Sequence, residues 1–263
     1  MASMTPTDLS DAPPSRPVAL VTGGGVRIGR AISLALARFG YDIIVHSRSA
    51  RPAVTATLAD LRALGARTAL VTGDLANPDV VSALIPAAAQ ALGAPTLLVN
   101  NASEFSPDGV GHLDPALWER HMAANLRAPV FLTDAFAAAL PAEARGAVVN
   151  IIDQRVLKPT PAYLSYAIAK NGLWAATRMM AQALAPRIRV NAVGPGPTLA
   201  NERQDGAAFA HQSNAVPLGR GPSPEEVAQA VLFLATAASV TGQMIAVDGG
   251  QHLAWRTPDT ETD

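Results

Sequence analysis

Tyr166 and Lys170 stand four residues apart, a spacing that puts both side chains on one helix face, one turn from each other. Free tyrosine has a pKa of about 10 and gives up its proton poorly at neutral pH. A nearby ammonium favours the phenolate and typically lowers such a pKa by roughly 1–3. The pair therefore reads as a proton donor and acceptor, with the lysine making the phenol usable. Of the 20 basic residues only Lys158 and Lys170 are lysines. A lysine at this spacing points to a need for its compact, tunable charge. Tyr163 competes for the same role, because positions 163, 166 and 170 share one face of a continuous helix. The plain alternative is a surface Tyr–Lys pair. Asp153, thirteen residues before Tyr166, is a second titratable group within reach.

A different chemistry is written near the start. Thr22, Gly23, Gly24 and Gly25 lead through Val26, Arg27 and Ile28 to Gly29. Glycines after a strand and before a helix let a dinucleotide pyrophosphate approach backbone amides at the positive end of the helix. Folds that bind NAD generally place Asp or Glu just after the second strand, to bond the ribose hydroxyl. Here that segment is His46, Ser47, Arg48 and Ser49. It has no carboxylate, and hydroxyls flank a guanidinium. With Arg27 in the preceding turn, the set suits a 2′-phosphate, so NADPH/NADP+ is favoured over NAD(H).

The elements needed to position these residues alternate strand with helix. Apolar runs at Val18–Thr22, 42–46, Thr68–Thr72, 95–100, 147–152, 188–193 and 243–247 read as strands buried on both faces. Helical spacing covers Arg27–Phe39, 54–64, an alanine-rich stretch after Thr72, 114–140 with a bend at Pro129, and 163–185. Ser223 and Pro224, followed by Glu225 and Glu226, open a last helix. Repeated βα units predict an α/β fold: a single doubly wound Rossmann-type domain with a parallel seven-stranded sheet and helices on both faces. That domain spans 17–253, between a disordered tail at 1–16 and a short tail at 254–263. Residues 194–222 carry four prolines and five glycines with little periodicity, which predicts a substrate lid loop.

Composition narrows the function classes. With 49% hydrophobic and 16% charged residues among 263, the chain can bury a large core. Net charge is −1 and the arginines are scattered, so no basic patch indicates nucleic acid. There is no cysteine, which excludes disulfides and thiolate metal sites, and no metal is expected. No apolar stretch is long enough to span a membrane, and 1–16 lack the apolar run of a signal peptide. The chain reads as soluble and cytoplasmic.

Taken together, these motifs resemble those of the classical short-chain dehydrogenase/reductases, from Val18 to about Leu253. The family's T-G-x-x-x-G-I-G matches Thr22, Gly23, Ile28 and Gly29, with Arg27 in place of a glycine. Its N-N-A-G matches Asn100, Asn101 and Ala102, with Ser103 in place of glycine. Its N-x-V-x-P-G matches Asn191, Val193, Pro195 and Gly196. The resemblance selects Tyr166 over Tyr163. It implies that Asp74 and Leu75 contact adenine, that Asn125 completes a proton relay, and that Thr198 reaches the carboxamide or phosphates. It also implies a homotetramer. Asp153 occupies the family's catalytic serine position. The three departures together are similar to those of the pteridine reductase and dihydromonapterin reductase subfamily. In that subfamily an aromatic residue follows N-N-A-S closely, as Phe105 does here, and would stack a flat pterin on the nicotinamide. Arg27 and Ser103 would give polar contacts to the pterin or the phosphates.

The implied catalytic set is Asp153, Tyr166, Lys170 and Asn125, and the implied substrate set is Arg27, Ser103, Phe105 and Tyr166. The cofactor residues are Gly23, Arg27, Ile28, Gly29, His46, Ser47, Arg48, Ser49, Asp74, Leu75, Asn101, Ala102, Tyr166, Lys170, Pro195, Gly196 and Thr198. Reducing C=N needs hydride on carbon and a proton on nitrogen, and Asp153 can orient Tyr166 or relay that proton. An ionised Asp153 would oppose the alkoxide of a ketone reaction. The leading expectation is an NADPH-dependent reductase of a dihydropterin, dihydromonapterin or dihydrofolate. The alternatives are a ketone or oxoacyl reductase and a non-catalytic NADP-sensing module. Trp255 and Arg256 are expected against a partner subunit.

Overall fold

Every strand ends at the same edge of one sheet, and that edge collects most of the residues singled out above. The computed structural model describes residues 16–200 and 205–255. Positions 1–15 of the expected tail, 201–204 of the expected lid, and 256–263 with Arg256 lie outside the described residues. The strands are β1 (Val18–Thr22), β2 (Asp42–Ser47), β3 (Thr68–Thr72), β4 (Leu97–Asn100), β5 (Gly146–Ile151), β6 (Ile188–Pro195) and β7 (Met244–Val247). All neighbours pair in parallel, in the order β3-β2-β1-β4-β5-β6-β7. The chain winds outward from β1 to β3, then returns to the other side of β1 to begin β4. That reversal opens a crevice beyond the carboxyl ends of β1 and β4, the usual ligand position in such sheets.

The helices are α1 (Arg27–Phe39), α2 (Pro52–Ala63), α3 (Pro78–Leu92), α4 (Pro115–Met122), α5 (Ala128–Ala139), α6 (Leu164–Leu184), α7 (Gly206–Asn214) and α8 (Pro224–Thr236). Residues of β1, β2, β4 and β5 are buried without alternation, as both-sided covering requires. One core joins Ile32 and Leu36 of α1 to Leu58 and Leu61 of α2 and Val231 and Leu234 of α8. The other joins Leu84 and Ile85 of α3 to Leu132 and Phe136 of α5 and Ala181 of α6. The predicted α/β architecture is the observed one.

Three local expectations need correction. The helix expected over 114–140 is α4 and α5 joined by a π turn at Ala123–Arg127, which carries Asn125. Pro129 has no N–H to give the Asn125 carbonyl four residues before it, so the disturbance falls one turn earlier than the proline itself. Tyr163 is not on the face of α6. It precedes the first turn in a left-handed conformation (φ 58°), its N–H held by the Asp108 carbonyl at 2.9 Å. Within the expected loop, α7 is a helix capped by Asp205, whose carboxylate accepts the Ala208 N–H. It buries none of its residues, so no apolar stripe announced it.

The β1–α1 turn is held by close approach. A Cβ on Gly29 would lie 2.1 Å from the Gly23 carbonyl oxygen and 2.6 Å from Asn101 Nδ2. Gly23 itself has φ 63°, where a side chain is strained. Gly29→Ala is expected to cost about 1–3 kcal/mol through overpacking, read as a lower thermal midpoint together with weaker dinucleotide binding. An unchanged midpoint would show that the turn can give way.

Candidate active site

The turn beyond β1 is stitched to the end of β4. The Thr22 hydroxyl accepts the N–H groups of Asn101 (2.9 Å) and Ala102 (3.0 Å), and Asn101 Nδ2 donates to the Thr22 carbonyl at 2.8 Å. α1 starts at an extended Val26 with no side-chain cap, leaving its first amides to an outside acceptor. A glycine cradle that side chains would fill, ending in an uncapped helix start, fits a pyrophosphate. Ile28 packs on the core, while Arg27 is exposed with φ 53° and donates to the Leu199 carbonyl at 3.2 Å. Gly196 gives its N–H to the Val247 carbonyl (2.9 Å), which fixes Pro195 and buried Thr198 at the end of β6.

The segment after β2 is less open than expected. His46 is buried, with Nε2 at 3.0 Å from the Gly73 carbonyl and Nδ1 accepting the Gly23 N–H at 3.4 Å. It shapes the glycine turn and does not face solvent, where a phosphate would lie. The Ser47 hydroxyl is likewise used locally, donating to the Ser49 carbonyl at 3.0 Å, while Ser49 is exposed. Arg48 is exposed, with Nε 3.8 Å from Asp74 and Nη2 3.2 Å from Glu104. Asp74 closes its own turn by accepting the Ala76 N–H (3.0 Å), and Leu75 is buried.

At the carboxyl end of β5 the predicted catalytic groups come together. The Tyr166 hydroxyl donates to Asp153 Oδ2 at 3.0 Å. Asp153 Oδ1 accepts the Arg155 N–H at 2.8 Å, and Arg155 Nη1 stands 3.4 Å from Oδ2. Burial, then the Asp153 carboxylate, push the Tyr166 phenol well above its ordinary value. This reverses the expectation that the lysine acidifies it. Lys170 Nζ donates to the Ile151 carbonyl at 2.9 Å and sits 5.7 Å from the Tyr166 ring centre. Burial lowers its own pKa to about 8, against a weaker upward pull from Asp153. The ammonium is thus committed to a backbone oxygen, and the phenol keeps its proton.

The Asn125 side chain makes three hydrogen bonds to the loop after β4. Its Oδ1 accepts the Ser103 hydroxyl and the Glu104 N–H, both at 2.9 Å, and its Nδ2 donates to the Glu104 carbonyl at 2.9 Å. The side chain clamps the loop after β4. Phe105 on that loop stacks on Tyr163 with ring centres 4.4 Å apart and meets Tyr166 edge-on at 4.7 Å. Sequence reasoning passed over Arg155, whose guanidinium lies 5.8 Å above Phe105 and 5.3 Å above Tyr163. It also missed a chain from half-buried Asp108 to buried Ser165 and His121. The Ser165 hydroxyl donates to Asp108, and His121 Nδ1 is 2.6 Å from that hydroxyl oxygen. The Ser106 N–H donates to His121 Nε2 at 3.2 Å, so Nε2 is bare and Nδ1 carries the hydrogen. A lone histidine within a helical stretch gave no signal for this.

The family model for enoyl-(acyl carrier protein) reductase matches residues 25–252. The chain belongs to the short-chain dehydrogenase/reductase family. It is 45% identical to FolM alternative dihydrofolate reductase 1 from Brucella canis, solved with NADP, covering 94% of this chain and 99% of that one with a TM-score of 0.88. It is 35% identical to pteridine reductase 1 of Leishmania tarentolae over 91% of this chain and 98% of that protein. It is also 33% identical to 3-oxoacyl-[acyl-carrier-protein] reductase of Synechocystis over 89% and 96% respectively. The protein is an NADP-dependent short-chain reductase, not a sensing module. None of its described helices is long and apolar enough to cross a membrane, and the described residues hold no cluster of metal-ligand type.

Two histidines of the reductase, His46 and His121, are held neutral chiefly by burial, which lowers both pKa values. The unfolded chain protonates its histidines near pH 6.5. Below that the unfolded state binds more protons, so their contribution is present above about pH 6.5 and is lost as pH falls. The thermal midpoint should drop from about pH 7.5 to about pH 5.5, and His121→Gln should flatten that slope. Equal slopes in both proteins would mean that His121 does not couple folding to protons.

Proposed function

We propose that the reductase transfers hydride from NADPH to a C=N bond of a pterin-type substrate such as a dihydropterin, dihydromonapterin or dihydrofolate. The observation that carries this reading is the 3.0 Å hydrogen bond from the Tyr166 hydroxyl to the Asp153 carboxylate. When bound, the nicotinamide supplies the hydride, and the chain must supply a proton to the neighbouring nitrogen. Burial and the Asp153 carboxylate keep the phenol protonated at neutral pH, so the proton that nitrogen needs is present in the Tyr166–Asp153 pair. Asp153 fixes the direction of that O–H and holds it beside Phe105. Phe105 offers a flat face for a flat ring, and Ser103 a hydroxyl at its edge. Such a substrate must displace or join the Phe105–Tyr163 stack. Likeness to the Brucella and Leishmania proteins supports the same class. Gly23, Arg27, Gly29, Arg48, Asn101, Ala102, Gly196 and Thr198 are the groups we assign to the cofactor.

The second reading is an oxoacyl or other ketone reductase, favoured by the Synechocystis relative. It gives Asp153 no comparable task, since a carboxylate opposes a developing alkoxide. Asp153→Ala should lower kcat for dihydropterin by about 10²-fold with NADPH binding nearly unchanged. Asp153→Ser should fail to restore it while gaining some ketone reduction. Serine performing as well as aspartate would favour the ketone reading.

We also propose a cytoplasmic homotetramer. Phe131 on α5 and Met179 on α6 are 60% and 68% exposed and Trp255 is 65% exposed, apolar surface that a partner subunit would cover. Light scattering at micromolar concentration should give four chains, and a monomer would refute it.

A further inference from the structure

One ion pair in the cofactor crevice has no place in the reading above. β2 and β4 lie on either side of β1. Arg48 follows β2 and Glu104 follows β4, so their 3.2 Å contact passes over the carboxyl end of β1, above the glycine turn. Asp74 stands on the same side of the crevice as Arg48, while Glu104 reaches it from the other side. The Glu104 backbone cannot drift, because Asn125 holds both its N–H and its carbonyl at 2.9 Å. Its carboxylate is shared. Arg120 Nη2 lies 2.8 Å from Oε2 and the Ser106 hydroxyl 3.4 Å from Oε1.

We propose that Glu104 is a displaceable counter-ion for Arg48, competing with the 2′-phosphate of NADPH and so setting how strongly the reductase prefers that cofactor. This rests on Arg48 being the 2′-phosphate residue. A phosphate carries more charge than a carboxylate and takes a guanidinium by two parallel bonds. It can therefore draw Arg48 off Glu104. The exchange is cheap on the protein side, because Arg120 and Ser106 still satisfy the carboxylate once Arg48 has left. NADH carries a hydroxyl at that position and has no anion with which to displace Glu104. Its binding does not register the competition.

The test is calorimetric titration of NADPH and of NADH into the unmodified protein, Glu104→Gln, Arg48→Ala and the double variant. Glu104→Gln should tighten NADPH by about fivefold, the scale of one exposed ion pair, with NADH unchanged. In the Arg48→Ala background the same substitution should give no gain. Unchanged or weaker NADPH binding in Glu104→Gln would overturn the proposal, as would equal tightening of both cofactors. An Arg48→Ala variant that loses NADPH and NADH affinity equally would instead remove the assignment of Arg48 itself. A thermal midpoint close to that of the unmodified protein serves throughout as the check that each variant is folded.

Discussion

A hydroxyl carried into a protein interior must find a partner there, and Tyr166 finds a carboxylate. Much of the reacting end follows from that one bond. The carboxylate keeps the proton on the phenol, and Arg155 and a backbone N–H keep the carboxylate in place. Arg155 also lies over the Phe105–Tyr163 stack. The aromatic wall and the proton store are therefore held by the same charges. Lys170 completes the arrangement with its ammonium over the ring and tied to β5.

The loop after β4 joins the two ends of the crevice. Ser103, Glu104 and Phe105 are consecutive, yet their side chains turn to Asn125, Arg48 and Tyr163 respectively. Asn125, which clamps this loop, lies in the π turn between α4 and α5. Asp108, bonded through Ser165 to His121, anchors the far end of the same loop to the start of α6.

The sheet was legible because its strands are short apolar runs punctuated by glycine, and β1, β3 and α1 fall at the expected residues. Spacing brought Tyr166 and Lys170 onto one helix, and family likeness brought Asp153 beside them. Their electrostatics were not legible. A pairwise rule made the lysine an acidifier, whereas burial and a third charge decide the sign. His46 looked like a phosphate neighbour because sequence gives position along a strand and not the side to which a ring turns. Tyr163 left the helix because Asp108, 55 residues earlier, takes its N–H. α7, which buries nothing, gave no pattern to read.

The left-handed backbone at Arg27 has an evolutionary side. A side chain in that conformation costs about 1–2 kcal/mol. A glycine there would shed the strain but gives the unfolded chain more freedom, worth roughly 0.4–1 kcal/mol in the opposite direction. The strain outweighs that gain by up to about 1.6 kcal/mol. An arginine at this turn is therefore kept against a net folding cost, and what its guanidinium touches must offset it.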